Sequence, residues 1–395
     1  MNMTIFIAII MLMYSGLLLS INKDIKSPSA ILFFIWGGLL FLSGVNGDIT
    51  NYTLCIILFS CLSFSVGALL AKPYAPIFEH VFSYNINNTK ALVLITNIIS
   101  FVILIYTLIV FLYYYKGGFT ESYINLRTEI NYGDKSGLIK IYGYIYYLLY
   151  PLVYVWSFLY FKNKYKKIEE GERARLPYNN RTFYFVFFTS LFYALLSTAK
   201  IKVLLLIIPI VFLRLFFSKI SLKYLLVTVS GIIFFFYLSM LFLNKIDDSS
   251  GAFEALKYGL MNYSLANIFA LDSVLQGKAV VIDCNGDATC GLANFISYKE
   301  YKTNVFTIFY SLTKYSDFLY SLIFFFVIGF FHSSLYNVAK KNKKTISVVI
   351  CSILYFPLLF QFFDQLYMLM FYIYAIAMLY VICFCSRLTL TLKGV

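Results

Sequence analysis

The sequence predicts an all-α polytopic membrane protein of about eleven transmembrane helices. Three observations carry this. Of the 395 residues, 61% are hydrophobic and only 13% are charged, with a mean hydropathy of +0.80. Soluble domains are about half apolar and roughly a quarter charged, so a bilayer must solvate this surface. Apolar runs recur at the length of a spanning helix, about 20 residues. Finally, Lys and Arg concentrate on one side of those runs.

The runs lie at 3–20, 30–47, 52–71, 91–113, 138–161, 182–198, 201–217, 224–243, 318–336, 345–362 and 366–385. The first has no basic n-region and no A-x-A cleavage site, so it reads as a span rather than a signal peptide. Only Thr198, Ala199 and Lys200 separate the sixth run from the seventh, which predicts a tight helical hairpin. Many of the 36 Tyr fall near the ends of runs, where the ring can sit in hydrocarbon and the hydroxyl in water.

Eleven spans with the C-terminus inside place the N-terminus outside. This arrangement puts 20 of the 32 Lys and Arg inside, among them the runs beginning Lys162-Asn163-Lys164 and Lys340-Lys341-Asn342. The inverted topology would put the basic excess outside. The net charge of +14 is therefore read as a topology signal, and no basic stretch carries a nucleic-acid-binding motif.

This reading divides the chain into residues 1–243 with spans one to eight, a large outer loop at 244–317, and residues 318–395 with spans nine to eleven. Within the first part, 114–137 is a smaller outer loop and 162–181 a cytoplasmic one. Within the large loop, Phe253, Leu256 and Leu260, and then Leu265, Ile268 and Leu271, recur at helical spacing. They predict short amphipathic helices that lie on the membrane surface or cap the bundle.

Of the seven Cys, Cys55, Cys61, Cys351, Cys383 and Cys385 fall in spans and read as packing residues. Cys284 and Cys290 fall in a polar stretch of the large outer loop, which favours a disulfide. Metal binding is the rival reading, although neither His80 nor His332 stands nearby in sequence. Walker A, G-x-G-x-x-G, H-E-x-x-H and G-x-S-x-G patterns are absent, so no nucleotide cofactor and no metal is expected.

Arg127 is the one Arg of six placed outside, in Ile124-Asn125-Leu126-Arg127-Thr128-Glu129. A guanidinium grips phosphate with two parallel hydrogen bonds. The competing reading is a surface Arg paired with Glu121 or Glu129. Lys200 and Lys202 stand at the outer end of the hairpin, the wrong side for a topology signal. They read either as snorkelling cations or as part of an anion site. Lys257 and Lys278 add charge in the large loop, together with Lys299, Lys302 and Lys314. Asp272, Asp317 and Asp364 are candidates for a base, or for a group that orients one.

Taken together, the chain resembles the Wzy-type O-antigen polymerases, the oligosaccharide repeat-unit polymerases. The resemblance rests on the span pattern with one large late outer loop and on Asn125-Leu126-Arg127 with Gly137 ten residues on. It rests also on the hairpin Ser197-Thr198-Ala199-Lys200, and on Asn304 to Tyr310 followed by Asp317-Phe318-Leu319, Gly329 and Tyr336. It departs where relatives carry Gly in place of Leu319 and an Arg in the large loop.

The resemblance implies a GT-C-like glycosyltransferase of the bacterial inner membrane, working at the periplasmic face. Its substrate would be undecaprenyl-pyrophosphate-linked oligosaccharide, with no cofactor, and its partners a chain-length regulator and a flippase. Arg127 and Lys200, with Lys257 or Lys278, would hold the pyrophosphate. Asp272 or Asp317 would take or orient the acceptor proton, and Tyr258, Tyr301 and Tyr310 would stack on sugars. An O-antigen ligase is the alternative within the class. A lipid-linked oligosaccharide flippase is the alternative outside it, and nearly charge-free span centres argue against that.

Overall fold

In a computed structural model of the chain, the described residues are 2–82, 84–86, 89–115, 117–132, 137–170, 180–197, 199–218, 227, 230, 231, 233, 234, 252–278, 296–298, 301–303, 307–314, 318–363 and 366–386. Their regular elements are helices apart from one small ribbon. In order they are α1 (Met3–Asn22), α2 (Pro28–Asn46), α3 (Asn51–Leu70), α4 (Ala75–Phe82), α5 (Lys90–Tyr113), α6 (Phe119–Tyr132), α7 (Leu138–Tyr144), α8 (Tyr146–Glu170), α9 (Asn180–Leu196) and α10 (Lys200–Leu215). Then follow α11 (Ala252–Leu275), β1 (Ile296–Tyr298), β2 (Tyr301–Thr303), α12 (Ile308–Lys314), α13 (Phe318–Asn342), α14 (Thr345–Leu359), a 3-10 turn at Leu366–Met368, and α15 (Met370–Cys385).

Six helical segments are long and apolar enough to cross a bilayer: α1, α2, α3, α5, the α7–α8 pair over Leu138–Tyr165, and α13. The chain is thus a helical membrane protein. α9, α10, α14 and α15 coincide with further predicted runs but are shorter. The run at 224–243 lies largely outside the described residues, as do Asp317, Asp364, Cys284 and Cys290.

Three differences from the sequence reading have physical causes. First, α8 and α13 continue beyond their apolar runs through the basic clusters, since Lys and Glu are good helix formers once a helix is nucleated. Lys340 and Lys341 fall in the last turn of α13, where the helix dipole favours cations. Second, the two stripes of the large loop belong to one continuous helix, α11. From Leu265 to Asp272 every residue is buried, so this half is core on all its faces and does not lie on a membrane surface. Third, β1 and β2 pair antiparallel, Ile296 with Thr303 and Tyr298 with Tyr301, and pack on α11. Among the described residues the fold is therefore all-helical but for this ribbon.

The chain divides into two units. The first comprises Met1–His80, Asp248–Val338 and Pro357–Leu369. Here α1 and α2 form a hairpin that packs closely because Ala30, Gly37 and Gly44 repeat every seven residues. A Cβ on Gly37 would meet the Ala8 carbonyl at 3.2 Å, and one on Gly44 the Ile5 amide at 3.1 Å. α3 and α13 cross more closely still. A Cβ on Gly67 would come within 2.2 Å of the Phe326 carbonyl oxygen, and one on Gly329 within 2.2 Å of the Phe64 carbonyl oxygen. Ser63 seals the crossing by donating to the Leu322 carbonyl at 2.7 Å.

Polar contacts tie α11, α12 and α2 of this unit to Gln361 and Phe362. Asn267, fully buried, donates to the Phe362 carbonyl at 3.0 Å. The preceding carbonyl, of Gln361, accepts from the Ile308 amide at 2.8 Å, and the Gln361 side chain accepts from Trp36 Nε1 at 3.0 Å. These contacts satisfy carbonyls left unpaired where the chain leaves the helix after Leu359.

The second unit comprises Val81–Asp247, Ala339–Phe356 and Met370–Val395. Its centre is α8, packed between α9, α10 and α15. Tyr146, Tyr150 and Tyr154 are spaced four apart on one face of α8, with Tyr142 one turn earlier in α7. Pro209 within α10 has no amide hydrogen for the Leu205 carbonyl, and the Tyr154 hydroxyl donates to that carbonyl instead. Trp156 Nε1 donates to Thr96 at 2.9 Å, and Phe212 stacks on Tyr355 with centroids 3.8 Å apart.

Candidate functional site

The polar groups of interest in the second unit gather where α9 ends and α10 begins. α6, formed from the segment 114–137, presents Ser122, Tyr123 and Leu126 as its buried face. Tyr123 reaches α9 and donates to the Leu195 carbonyl at 3.3 Å. Arg127 stands one turn on from Tyr123 and acts on it electrostatically. Burial pushes the Tyr123 phenol above its usual range, and the Arg127 guanidinium pulls it back down.

Neither Glu121 nor Glu129 forms an ion pair with Arg127 among the described residues. The spacing explains it: residues two or six apart on a helix do not face one another. Glu129 instead lies near Tyr114, whose phenol is raised by burial and then by that carboxylate. Asn125, two residues before Arg127, has its amide nitrogen buried with no hydrogen-bond partner among the described residues.

On the other side of the α9–α10 turn stands Lys202, mostly buried. Its Nζ donates to the Tyr193 hydroxyl at 3.1 Å and lies 5.1 Å from the Tyr146 ring centre and 5.2 Å from that of Tyr193. The Tyr193 hydroxyl passes its own hydrogen bond to the Tyr142 carbonyl at 2.8 Å. Tyr150 closes the floor by donating to the Lys202 carbonyl at 3.0 Å. The Tyr142 ring packs edge-on to Tyr193 at 5.1 Å, and its hydroxyl is buried without a partner among the described residues. Beyond the cage, Tyr146, Tyr147 and Phe371 stack on one another.

An apolar groove of about 400 Å³ runs along the same helix, lined by Leu104 of α5 and by Phe185, Phe188, Leu191, Phe192 and Leu195 of α9. Leu195 thus belongs both to the groove and, through its carbonyl, to the contact with Tyr123.

The other expected residues belong to the first unit, apart from Lys200, which opens α10. Asp272 is buried, and both of its carboxylate oxygens are occupied. Oδ1 accepts from the Thr50 amide at 3.1 Å, the Thr50 hydroxyl at 2.5 Å and the Thr53 hydroxyl at 2.6 Å, while Oδ2 accepts from Gln276 at 2.5 Å. Thr50 is the residue that opens α3. Asp272 therefore ties the C-terminal end of α11 to the start of α3, where the helix dipole also favours an anion.

Lys278 is exposed just beyond α11, and Lys257 and Tyr258 fall in its first half. Tyr301 pairs through its backbone with Tyr298, and Tyr310 is half-buried in α12. Asp317, Cys284 and Cys290 lie outside the described residues, and among the described residues no cluster of His, Cys, Asp and Glu could hold a metal.

The sequence reading singles out Arg127 and the hairpin lysines but not Tyr142, Tyr146 or Tyr193. A signal is present: Tyr recurs at 142, 146, 150 and 154, the spacing of one helical face. Comparison with protein-family models, with curated proteins and with solved structures finds no match.

Proposed function

We propose that the chain is a polysaccharide polymerase of the bacterial inner membrane. It would transfer a growing undecaprenyl-pyrophosphate-linked glycan onto a new lipid-linked repeat unit at the periplasmic face. The observation that carries this reading is Arg127, a cation not paired with the neighbouring glutamates and one turn from Tyr123, which ties α6 to the helix that walls an apolar groove. That combination suits an amphiphile with a long hydrocarbon tail and an anionic head. A diphosphate leaving group gains negative charge as the glycosidic bond breaks, and fixed cations in a site of low dielectric stabilise it. The reading includes eleven spans, a GT-C-like arrangement and an N-terminus outside.

In this scheme Arg127 and Lys200 bind the diphosphate. Asp272, buried and hydrogen-bonded through both carboxylate oxygens, is read as an anchor rather than as the acceptor of the sugar hydroxyl's proton. The test is the surface glycan of the native strain. Deletion should leave single repeat units on the lipid A core, whereas a ligase deletion would leave none. Arg127→Ala at normal protein level should abolish long-chain polymer or cut it at least about tenfold, as loss of a transition-state charge contact does. Unchanged polymer would remove Arg127 from the mechanism.

A further inference from the structure

Lys202 has a feature the sequence does not show. It is a largely buried cation that no carboxylate pairs with among the described residues. Its ammonium carries three hydrogens, and Tyr193 accepts one of them. Its ammonium also lies over the faces of Tyr146 and Tyr193. Aromatic faces attract a cation, but they do not replace the strong hydrogen bonds that water or an anion would supply. Tyr142, whose ring packs against that of Tyr193, holds a buried hydroxyl with no partner among the described residues. Two donors, one charged and one neutral, thus stand around a single tyrosine with hydrogens to give.

The cage also fixes where Lys202 points. Tyr193 cannot turn away, because its own hydroxyl is held by the Tyr142 carbonyl. The backbone beneath is clamped by Tyr150. A side chain held this firmly loses little further entropy when a ligand arrives, which is the condition for tight recognition of a compact anion. Lys202 also stands in the first turn of α10, the end of a helix whose dipole favours an anion.

We infer that Lys202, with the Tyr142 hydroxyl, receives the phosphate of a lipid-borne headgroup whose hydrocarbon tail lies along α9. This rests on the proposed function for the identity of the lipid, a prenyl diphosphate. It adds Lys202, in direct contact with the phosphate, to the diphosphate-binding residues proposed above. The same phosphate chemistry is offered by phosphatidylglycerol of the bilayer and by free pyrophosphate, so the experiment separates the three.

The full-length protein is purified in detergent, and binding of farnesyl diphosphate, farnesol, inorganic pyrophosphate and phosphatidylglycerol is measured for wild type, Lys202→Met, Lys202→Arg and a control, Lys140→Gln. Lys202→Met should weaken farnesyl diphosphate at least about tenfold and leave farnesol within about twofold, with Lys202→Arg between wild type and Met. Without ligand, Lys202→Met should melt at or above the wild-type temperature, since it removes an unpaired buried charge and keeps the packing volume. A large drop in that temperature would show a purely structural lysine and overturn the inference. A loss of farnesyl diphosphate affinity below about twofold would overturn it too. Equal Lys202-dependent binding of phosphatidylglycerol or of pyrophosphate would overturn the prenyl assignment. A deletion strain with intact polymer beside Lys202-dependent diphosphate binding would sink the polymerase reading alone.

Discussion

A buried carboxylate that bridges two elements through both of its oxygens is positioned as a structural anchor. Asp272 has four donors on its two oxygens, three of them from the residues that open α3. Its geometry is that of an anchor for α11. The two roles predict opposite outcomes for Asp272→Asn. As an anchor, Asn keeps Oδ1 for the threonines and turns its amide toward Gln276, so stability falls by roughly 1 kcal/mol and polymer persists. Asp272→Leu leaves those donors without an acceptor and costs about 3 kcal/mol. Thermal unfolding and glycan length, measured on the same strains, check this. Loss of polymer in Asp272→Asn at full protein level and unchanged stability would make Asp272 the base and refute the anchoring role. In the sequence Asp272 is visible only as an acid in a loop. Its partners are Thr50 and Thr53, more than two hundred positions away, and no local pattern marks a hydrogen bond of that reach.

At the scale of elements, the apolar period is legible in the sequence and the packing partner is not. The runs at 3–20, 30–47, 52–71 and 91–113 correspond to α1, α2, α3 and α5 almost to the residue, because a twenty-residue apolar segment in a bilayer has helix as its only open option. α11 is harder to read because Leu265, Ile268 and Leu271 form a stripe, while between them Ala266 and Ala270 are small, Asn267 carries an amide, and Phe269 is the one large apolar residue off the stripe. Ala266, Ala270 and Asn267 also tolerate burial, the last when its amide finds a carbonyl. A stripe reports one buried face and is silent on the others. The glycines of α3 and α13 are likewise unmarked as a pair until the crossing brings them together. Gly67→Ala and Gly329→Ala each place a methyl 2.2 Å from a backbone oxygen, which no rotamer can relieve. Each should cost roughly 1–3 kcal/mol or more and lower the melting temperature of the detergent-solubilised protein. Gly38→Ala, whose Cβ meets nothing within 4 Å, is the internal control and should melt with wild type. Equal melting of all three variants would mean that α3 and α13 do not cross at these glycines.

At the scale of the whole molecule, charge orders the chain before packing does. The candidate site is legible in part for that reason. Arg127, Lys200 and Lys202 stand out because the topology expected from the sequence puts them on the side from which cations are otherwise drawn away. The cage around Lys202 does not, since a tyrosine near a span end has the same composition whether it anchors the membrane or walls a site. The functional reading depends on the direction in which the helices are threaded, and that can be tested directly. Alkaline phosphatase requires disulfides and is active only in the oxidising compartment. Fused after Lys278 it should be active, and fused after Lys167 or after Ser386 it should be inactive, with a fluorescent protein giving the opposite pattern. A reversed pattern would place the α9–α10 turn in the cytoplasm. A lipid-linked glycan presented at the periplasmic face could not then reach Lys202 or Arg127, and the polymerase reading would fail however well the isolated protein bound a prenyl diphosphate.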